Sequence, residues 1–251
     1  MKKWKKSLLF GLALVPVAAV GGWFVAWYQF DVYEAGTLEI LIAQVGSLET
    51  VAWIAVAQTV AYAVVFGALG YLLADKIGLM RPFPLEKDAL ISTVGISILA
   101  GALFSLDYWT FGSALPAVRE SILQGLTFRG VMASVLYGGV MEEVLLRLFF
   151  LSLIAFVLWK LFFRSRETVL SGVLTAANLL AALIFAAGHL PATVSMYGGL
   201  SFLLLLRCFL LNGSFGLLFG SLFRRCGIQY AMLSHALLHI VSKLIWVLFA
   251  R

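Results

Sequence analysis

Seven long apolar segments occupy most of this sequence, and their lengths suit membrane-spanning helices. About 20 apolar residues in a helix cross the hydrocarbon core of a bilayer. The chain is 63% hydrophobic and 12% charged, whereas soluble domains are about 45–50% apolar and about 25% charged. We therefore predict an all-α, polytopic helical membrane protein that forms a single integral membrane domain over residues 1–251. The predicted spans cover approximately residues 8–30, 51–74, 89–104, 131–158, 168–190, 200–223 and 230–249.

Basic residues at the ends of these segments predict the orientation. Lysines at positions 2, 3, 5 and 6 precede the first segment. They are compatible with a signal peptide, but we favour an uncleaved first span because apolar sequence continues well past the small-residue site at 17–19. Only Arg119 and Arg129 lie in loops on the other side. The positive-inside rule therefore predicts a cytoplasmic N-terminus, and the lysine-rich start favours a bacterial plasma membrane.

A polar stretch separates the third and fourth predicted spans. Pro116 suits the first position of a helix, and Val118, Ile122 and Leu126 follow at helical spacing. This pattern is typical of an amphipathic helix that lies at the membrane interface.

Two carboxylates and an arginine interrupt the fourth span, at Glu142, Glu143 and Arg147. A charge at the centre of a membrane helix costs roughly 2.5–3.5 kcal/mol on insertion scales, so it is rarely kept without a use. Glu143 and Arg147 are four residues apart, share a helix face and can form an ion pair. Glu142 points elsewhere, which makes it the candidate functional carboxylate.

All three histidines of the sequence also fall in predicted spans or at their ends. His189 ends the fifth span and shares a face with Phe185, whereas His235 and His239 share a face in the seventh. Three intramembrane histidines and two glutamates together indicate a site. Of the other intramembrane cations, Arg207 is expected to pair with Glu143 or to extend to an interface. Lys243 is expected to extend to an interface.

These motifs resemble those of a known family. The chain carries Glu-Glu-x-x-x-Arg at 142–147, Phe-x-x-x-His at 185–189 and His-x-x-x-His at 235–239, in that order on separate spans. They look like the motifs of the CPBP intramembrane proteases, which are the type II CAAX prenyl endopeptidases and their bacterial relatives. The resemblance covers about residues 116–243.

The resemblance implies a role for each matching residue. Glu142 would be the general base that activates a water, and His189 would help to hold that water. His235 would line the site and, with the residue at 239, stabilise the oxyanion. The supporting residues would be Glu143, Arg147 and Phe185.

Position 239 is histidine where the family often has asparagine, which leaves two kinds of chemistry open. A neutral imidazole can donate one hydrogen bond, so an oxyanion role survives. Two histidines four residues apart also match the spacing of zinc-binding helices, although position 236 is alanine where that motif has glutamate. A zinc site formed by Glu142, His189, His235 and His239 is therefore an alternative. We favour glutamate catalysis without a cofactor.

The resulting expectation is an intramembrane endopeptidase that acts near the end of a membrane-associated protein or peptide. Its partners would be the lipid bilayer and a peptide or protein substrate, with no nucleic acid. One alternative is a non-enzymatic membrane binder or bacteriocin self-immunity protein. Another is a proton-coupled transporter, against which the sequence shows no duplicated halves with paired broken helices.

Overall fold

The computed structural model describes residues 2–250; it is 85% helical, and this range contains no strand. Seven helical stretches in it are long and apolar enough to cross a membrane, which confirms the predicted fold class. We number them spans 1 to 7. They cover Lys3–Val32, Leu48–Lys76, Lys87–Ala114, Phe128–Phe162, Ser171–Tyr197, Phe202–Arg225 and Ile228–Phe249.

Several spans are built from more than one helical piece. The pieces, in chain order and with the short helices between spans, are Lys3–Ala13, Val15–Val32, Ala35–Val45, Leu48–Lys76, Lys87–Ser105, the 3-10 turn Leu106–Tyr108, Phe111–Ala114, Pro116–Gln124, Phe128–Met132, Ala133–Glu142, Val144–Leu151, Ser152–Phe162, Ser171–Gly188, Leu190–Tyr197, Phe202–Arg225 and Ile228–Phe249.

Span 4 departs from the regular α-helix expected from its sequence. Between its α-helical ends, Ala133–Glu142 and Val144–Leu151 follow the wider i→i+5 pattern of a π-helix. π-helical turns are rare and occur frequently at functional sites. Tyr137 lies five residues before Glu142, the separation that one such hydrogen bond spans, and both residues line the same cavity.

Span 4 lies at the centre of the bundle and contacts spans 1, 2, 5, 6 and 7. Its residues Val144, Leu148 and Leu151 are buried in the main apolar cluster, together with Phe219 and Phe223 of span 6. This packing fixes the fourth span, and hence its two glutamates, against the histidine-bearing spans.

A glycine allows spans 4 and 7 to approach closely beside the glutamates. A Cβ atom at Gly139 would lie 2.8 Å from the Cβ and 3.0 Å from the Cα of Ala236. Small residues at such crossings let membrane helices come together. The close approach brings His235 next to Glu143, with 2.8 Å between Nδ1 and Oε1.

We expect Gly139→Ala to lower the free energy of unfolding by about 1–3 kcal/mol, because the added methyl group overlaps the backbone of span 7. The matched control is Gly95→Ala, since a Cβ atom at Gly95 meets nothing within 4 Å. Alanine is favoured over glycine in helices by up to about 1 kcal/mol, so this variant should not be destabilised. Denaturant unfolding in detergent would measure both. Equal stability of the two variants would contradict the close contact.

The predicted amphipathic helix is present as Pro116–Gln124. Val118 and Ile122 are buried against Tyr108, Leu204 and Trp246. The Ser121 and Tyr197 hydroxyls lie 2.8 Å apart, which ties this helix to the end of span 5.

The loops that carry most of the basic residues meet at one end of the bundle. Lys3 forms a 2.7 Å ion pair with Asp75, and the Gln229 amide donates to the Pro82 carbonyl at 2.8 Å. These contacts join the ends of spans 1, 2 and 7 and the loop before span 3. The side of the membrane on which this end lies stays a prediction.

Candidate active site

A cavity of about 510 Å³ opens among the spans. Span 4 contributes Glu142 to its lining, span 5 contributes Phe185 and His189, and span 7 contributes His235 and His239. All five were predicted from the sequence to be catalytic or supporting residues of the site. Glu143 and Arg147 do not line the cavity; they are buried behind it, with side-chain exposures of 0% and 2%.

Glu142 faces two of the imidazoles across the cavity. Its Oε1 lies 3.8 Å from His189 Nε2, and its Oε2 lies 4.0 Å from His235 Nε2. These separations are too long for direct hydrogen bonds and fit a contact through a single water. Glu142 is 17% exposed and His189 is 34% exposed, so both can be reached from the cavity.

His189 is held at a break in span 5. It ends the helix Ser171–Gly188 and precedes Leu190–Tyr197, which has Pro191 near its start. Its Nδ1 lies 2.8 Å from the Phe185 carbonyl oxygen. A carbonyl only accepts, so Nδ1 carries the proton and Nε2 of the neutral ring is an acceptor. The Phe185 ring and the His189 imidazole make a T-shaped contact, with 4.7 Å between the ring centroids.

A chain of buried polar groups fixes His235. Arg147 Nη1 lies 3.0 Å from Glu143 Oε1, and His235 Nδ1 lies 2.8 Å from the same oxygen. His235 therefore donates through Nδ1, which leaves its Nε2 as an acceptor. Phe219 stacks on the His235 ring at 4.4 Å, and the Arg147 guanidinium lies over the Phe185 ring at 4.4 Å. Glu143 thus contacts a cavity histidine as well as its predicted arginine.

The position of the proton on His239 follows from this arrangement. Its Nε2 lies 3.2 Å from His235 Nε2. Because His235 Nε2 accepts, His239 must donate through its Nε2 proton. The T-shaped contact with Phe104, at 5.7 Å between ring centroids, holds the ring from the other side.

Histidine and glutamate side chains are the donor types that zinc prefers. Across residues 2–250, however, no three His, Cys, Asp or Glu side chains are grouped so that they could hold a metal ion. The Nδ1 of His235 bonds to Glu143 and its Nε2 bonds to His239. In this arrangement both ring nitrogens of His235 are hydrogen-bonded to other side chains, whereas Glu142 and His189 face the cavity.

Two intramembrane cations have partners other than those expected. Arg207 pairs with Asp107, with Nε–Oδ1 at 2.9 Å and Nη2–Oδ2 at 2.6 Å, and not with Glu143, which Arg147 already neutralises. Lys243 does not extend to an interface; it is 8% exposed, and its Nζ donates to the Gly125 carbonyl at 3.3 Å. Asp107 lies in the 3-10 turn within span 3, and Gly125 lies in the connection before span 4; spacing along the sequence gives no signal for either contact.

Four tyrosines also line the cavity and were missed by the sequence reasoning: Tyr28, Tyr33, Tyr137 and Tyr197. Tyr33 lies just beyond the end of span 1, and burial raises the pKa of its hydroxyl to about 12. It therefore remains a neutral hydrogen-bond donor at physiological pH. Tyrosine spacing alone carries no signal for such a wall, because tyrosine is also common at membrane interfaces.

Comparison with known proteins matches part of the chain to a protein family. The family model described as "Type II CAAX prenyl endopeptidase Rce1-like" matches residues 124–241. No curated protein and no solved structure gives a significant match. The matched segment contains both glutamates and all three histidines. The resemblance predicted from the motifs is thereby confirmed: over residues 124–241, this chain matches the Rce1-like type II CAAX prenyl endopeptidase family.

Proposed function

We propose that this protein is an intramembrane endopeptidase that hydrolyses a peptide bond near the end of a membrane-associated protein or peptide. The family match supports a CAAX-type intramembrane endopeptidase in general. The observation that carries the specific proposal is the placement of Glu142 within 3.8 Å of His189 and 4.0 Å of His235 in one cavity. A base that activates water must lie within such reach, directly or through one water.

The hydrogen-bonding pattern supports a defined role for the water. Glu142 as a carboxylate only accepts, and His189 presents an accepting Nε2 toward it. A water between them would donate one proton to each group. Its lone pairs would then be directed toward a substrate carbonyl. Glu142 would take the proton as the water attacks and would deliver it to the leaving amine nitrogen as the C–N bond breaks.

The oxyanion formed by this attack needs a hydrogen-bond donor. In the described arrangement His239 donates its Nε2 proton to His235, which Glu143 holds in place; when the oxyanion forms, this proton would turn from His235 Nε2 to the substrate oxygen. Preorganised donors of this kind are usually worth about 10²–10³ in rate. Glu143 and Arg147 neutralise each other behind the wall, so Glu142 provides the one carboxylate charge at the site.

The proposed substrate reaches the cavity from the bilayer. The wall beside Glu142 includes the apolar residues Leu145, Leu146, Phe150 and Ile184, which suit a lipid anchor or an apolar peptide. The seven spans and the family support an integral membrane protein. A cytoplasmic N-terminus in a bacterial plasma membrane completes the proposal.

The test is cleavage by the purified protein in proteoliposomes. The probes are an S-farnesylated CAAX peptide and an unlipidated apolar membrane peptide, with and without a chelator. We expect cleavage of at least one probe, at a rate that the chelator does not change. Loss of activity with chelator would instead favour the metal-dependent alternative. No cleavage, together with proton flux that follows a pH gradient, would favour the transporter.

Substitutions at position 239 test the oxyanion role. We expect His239→Asn to retain cleavage within about tenfold, because the amide can still donate a hydrogen bond. His239→Ala removes the donor and should lower kcat by about 10²–10³-fold. Initial rates on the same peptide measure both. If the alanine variant cleaves as fast as the wild type, His239 does not stabilise the oxyanion.

A further inference from the structure

The ion pair between Arg207 and Asp107 lies in the wall of the same cavity. Asp107 is fully buried, and the Arg207 side chain is 19% exposed. Asp107 engages one edge of the guanidinium: Nε lies 2.9 and 3.1 Å from the two carboxylate oxygens, and Nη2 lies 2.6 Å from Oδ2. This carboxylate therefore orients the guanidinium and fixes which of its donors are used.

The other edge of the guanidinium is not used by the protein. Within residues 2–250, no hydrogen bond is made by Nη1. Arg207 lines the cavity and, among the lining residues of the described chain, it alone is a lysine or arginine. A guanidinium has five N–H donors, and its free edge can bind a second carboxylate through two parallel hydrogen bonds.

Two tyrosines of the cavity lining lie near the Arg207 guanidinium. Tyr28 and Tyr197 line the cavity and lie within electrostatic range of Arg207. The Ser121 hydroxyl donates to the Val118 carbonyl, so the Tyr197 hydroxyl donates to Ser121, and of the two tyrosines Tyr28 is the one that can donate to an anion at the guanidinium. A structural ion pair alone would need neither a free guanidinium edge at the cavity nor a hydroxyl group beside it.

The ion pair lies a short distance from the reacting groups. The Phe104 ring contacts the His239 ring, with 5.7 Å between centroids. Asp107 follows Phe104 by three residues, or roughly 5 Å of helical rise. Arg207 is therefore on the order of 10 Å from His239, a distance that a few residues of extended peptide cover at about 3.3–3.6 Å each.

We infer that Arg207 binds a carboxylate of the substrate, a few residues from the bond that is cleaved. This inference rests on the proposed function for its substrate. The carboxylate is either the free C-terminus of the peptide or an acidic side chain near that end. Arg207 would thus be a specificity-determining residue, with Asp107 as the residue that orients it.

The first experiment compares three forms of one S-farnesylated peptide: free C-terminal acid, C-terminal amide, and amide with glutamate as its last residue. Binding is measured on Glu142→Gln, and cleavage on the wild type, both in proteoliposomes. Hydrogen bonds to a charged group predict that the acid binds about 10- to 100-fold more tightly than the amide. Recovery by the glutamate amide identifies a side-chain carboxylate as sufficient. Failure to recover restricts the site to the C-terminus.

The second experiment removes the guanidinium. Asp107→Asn/Arg207→Gln is preferred to Arg207→Gln alone, because the single change leaves a buried carboxylate without its partner. We expect the double variant to bind acid and amide equally, with the change in KM and not in kcat. Arg207→Lys keeps the charge but not the paired geometry, and should retain only part of the preference.

Equal binding of acid and amide by the protein with intact Arg207 would overturn the inference, and this comparison does not depend on the folding of any Arg207 variant. A preference that persists undiminished in the double variant would also overturn it. If the acid binds preferentially but nothing is cleaved, the carboxylate site stands and the protease proposal fails.

Discussion

Glu142→Gln is expected to lower the rate of peptide cleavage by at least about 10³-fold, while the protein folds and inserts normally. Glutamine keeps the shape of the side chain but cannot take a proton from water, and base catalysis is typically worth about 10²–10⁴-fold. Glu142 lies in the cavity, and within residues 2–250 its ion-pair contacts are with the imidazoles of His189 and His235, at 3.8 and 4.0 Å. Loss of the charge should therefore leave the packing intact.

The matched control for this variant is Glu120→Gln. Glu120 is exposed on the helix Pro116–Gln124 and contacts Gln124 at 3.2 Å. Its replacement removes the same charge from the same chain, away from the cavity. Initial cleavage rates and size-exclusion profiles would be measured for both variants. If Glu142→Gln cleaves peptide at the wild-type rate, Glu142 is not the base. If Glu120→Gln loses as much of the cleavage rate as Glu142→Gln, the effect is not specific to the cavity.

Arg147→Leu is expected to lower the free energy of unfolding by about 3–5 kcal/mol. Arg147 is 2% exposed and lies 3.0 Å from Glu143, which is 0% exposed. Removal of the guanidinium leaves a buried carboxylate without its cation. It also removes the contacts with the Phe185 and Phe219 rings. Unfolding in detergent by denaturant, followed by tryptophan fluorescence, measures the change.

Lys3→Ala is the control for Arg147→Leu. It breaks the ion pair with Asp75, which is 2.7 Å long but has 79% exposure at the lysine. Exposed pairs contribute little, so its stability should equal that of the wild type within error. The double variant Glu143→Gln/Arg147→Leu should recover part of the loss, because no buried charge is left without a partner. Wild-type stability of Arg147→Leu would contradict a structural role for the buried pair.

The positions of the spans could be predicted because bilayer thickness dictates the length of an apolar segment. The pairing of Glu143 with Arg147 followed from helix geometry, since residues four apart share a face. The selection of Glu142 and the histidines rested on the cost of polar groups in lipid. Each of these features depends only on residues close together in the sequence and on the properties of the surrounding bilayer.

Contacts between distant parts of the chain could not be derived in this way. The bond from His235 to Glu143 joins residues 92 positions apart, and the pair Arg207–Asp107 joins residues 100 positions apart. The π-helical form of span 4 also leaves no periodic signal, because nearly every residue there is apolar. Consequently the sequence predicted which residues form the candidate site but not the hydrogen bonds that orient them.

The most direct test of the central claim follows the oxygen of water through one turnover. The wild-type protein would cleave peptide in H₂¹⁸O with enzyme in excess, and mass spectrometry would locate the label. If Glu142 acts as a base on water, one ¹⁸O atom appears in the new carboxylate of the peptide and none in the carboxylate of Glu142. Label in Glu142, with an unlabelled peptide product, would show that the carboxylate itself attacks and would contradict the account.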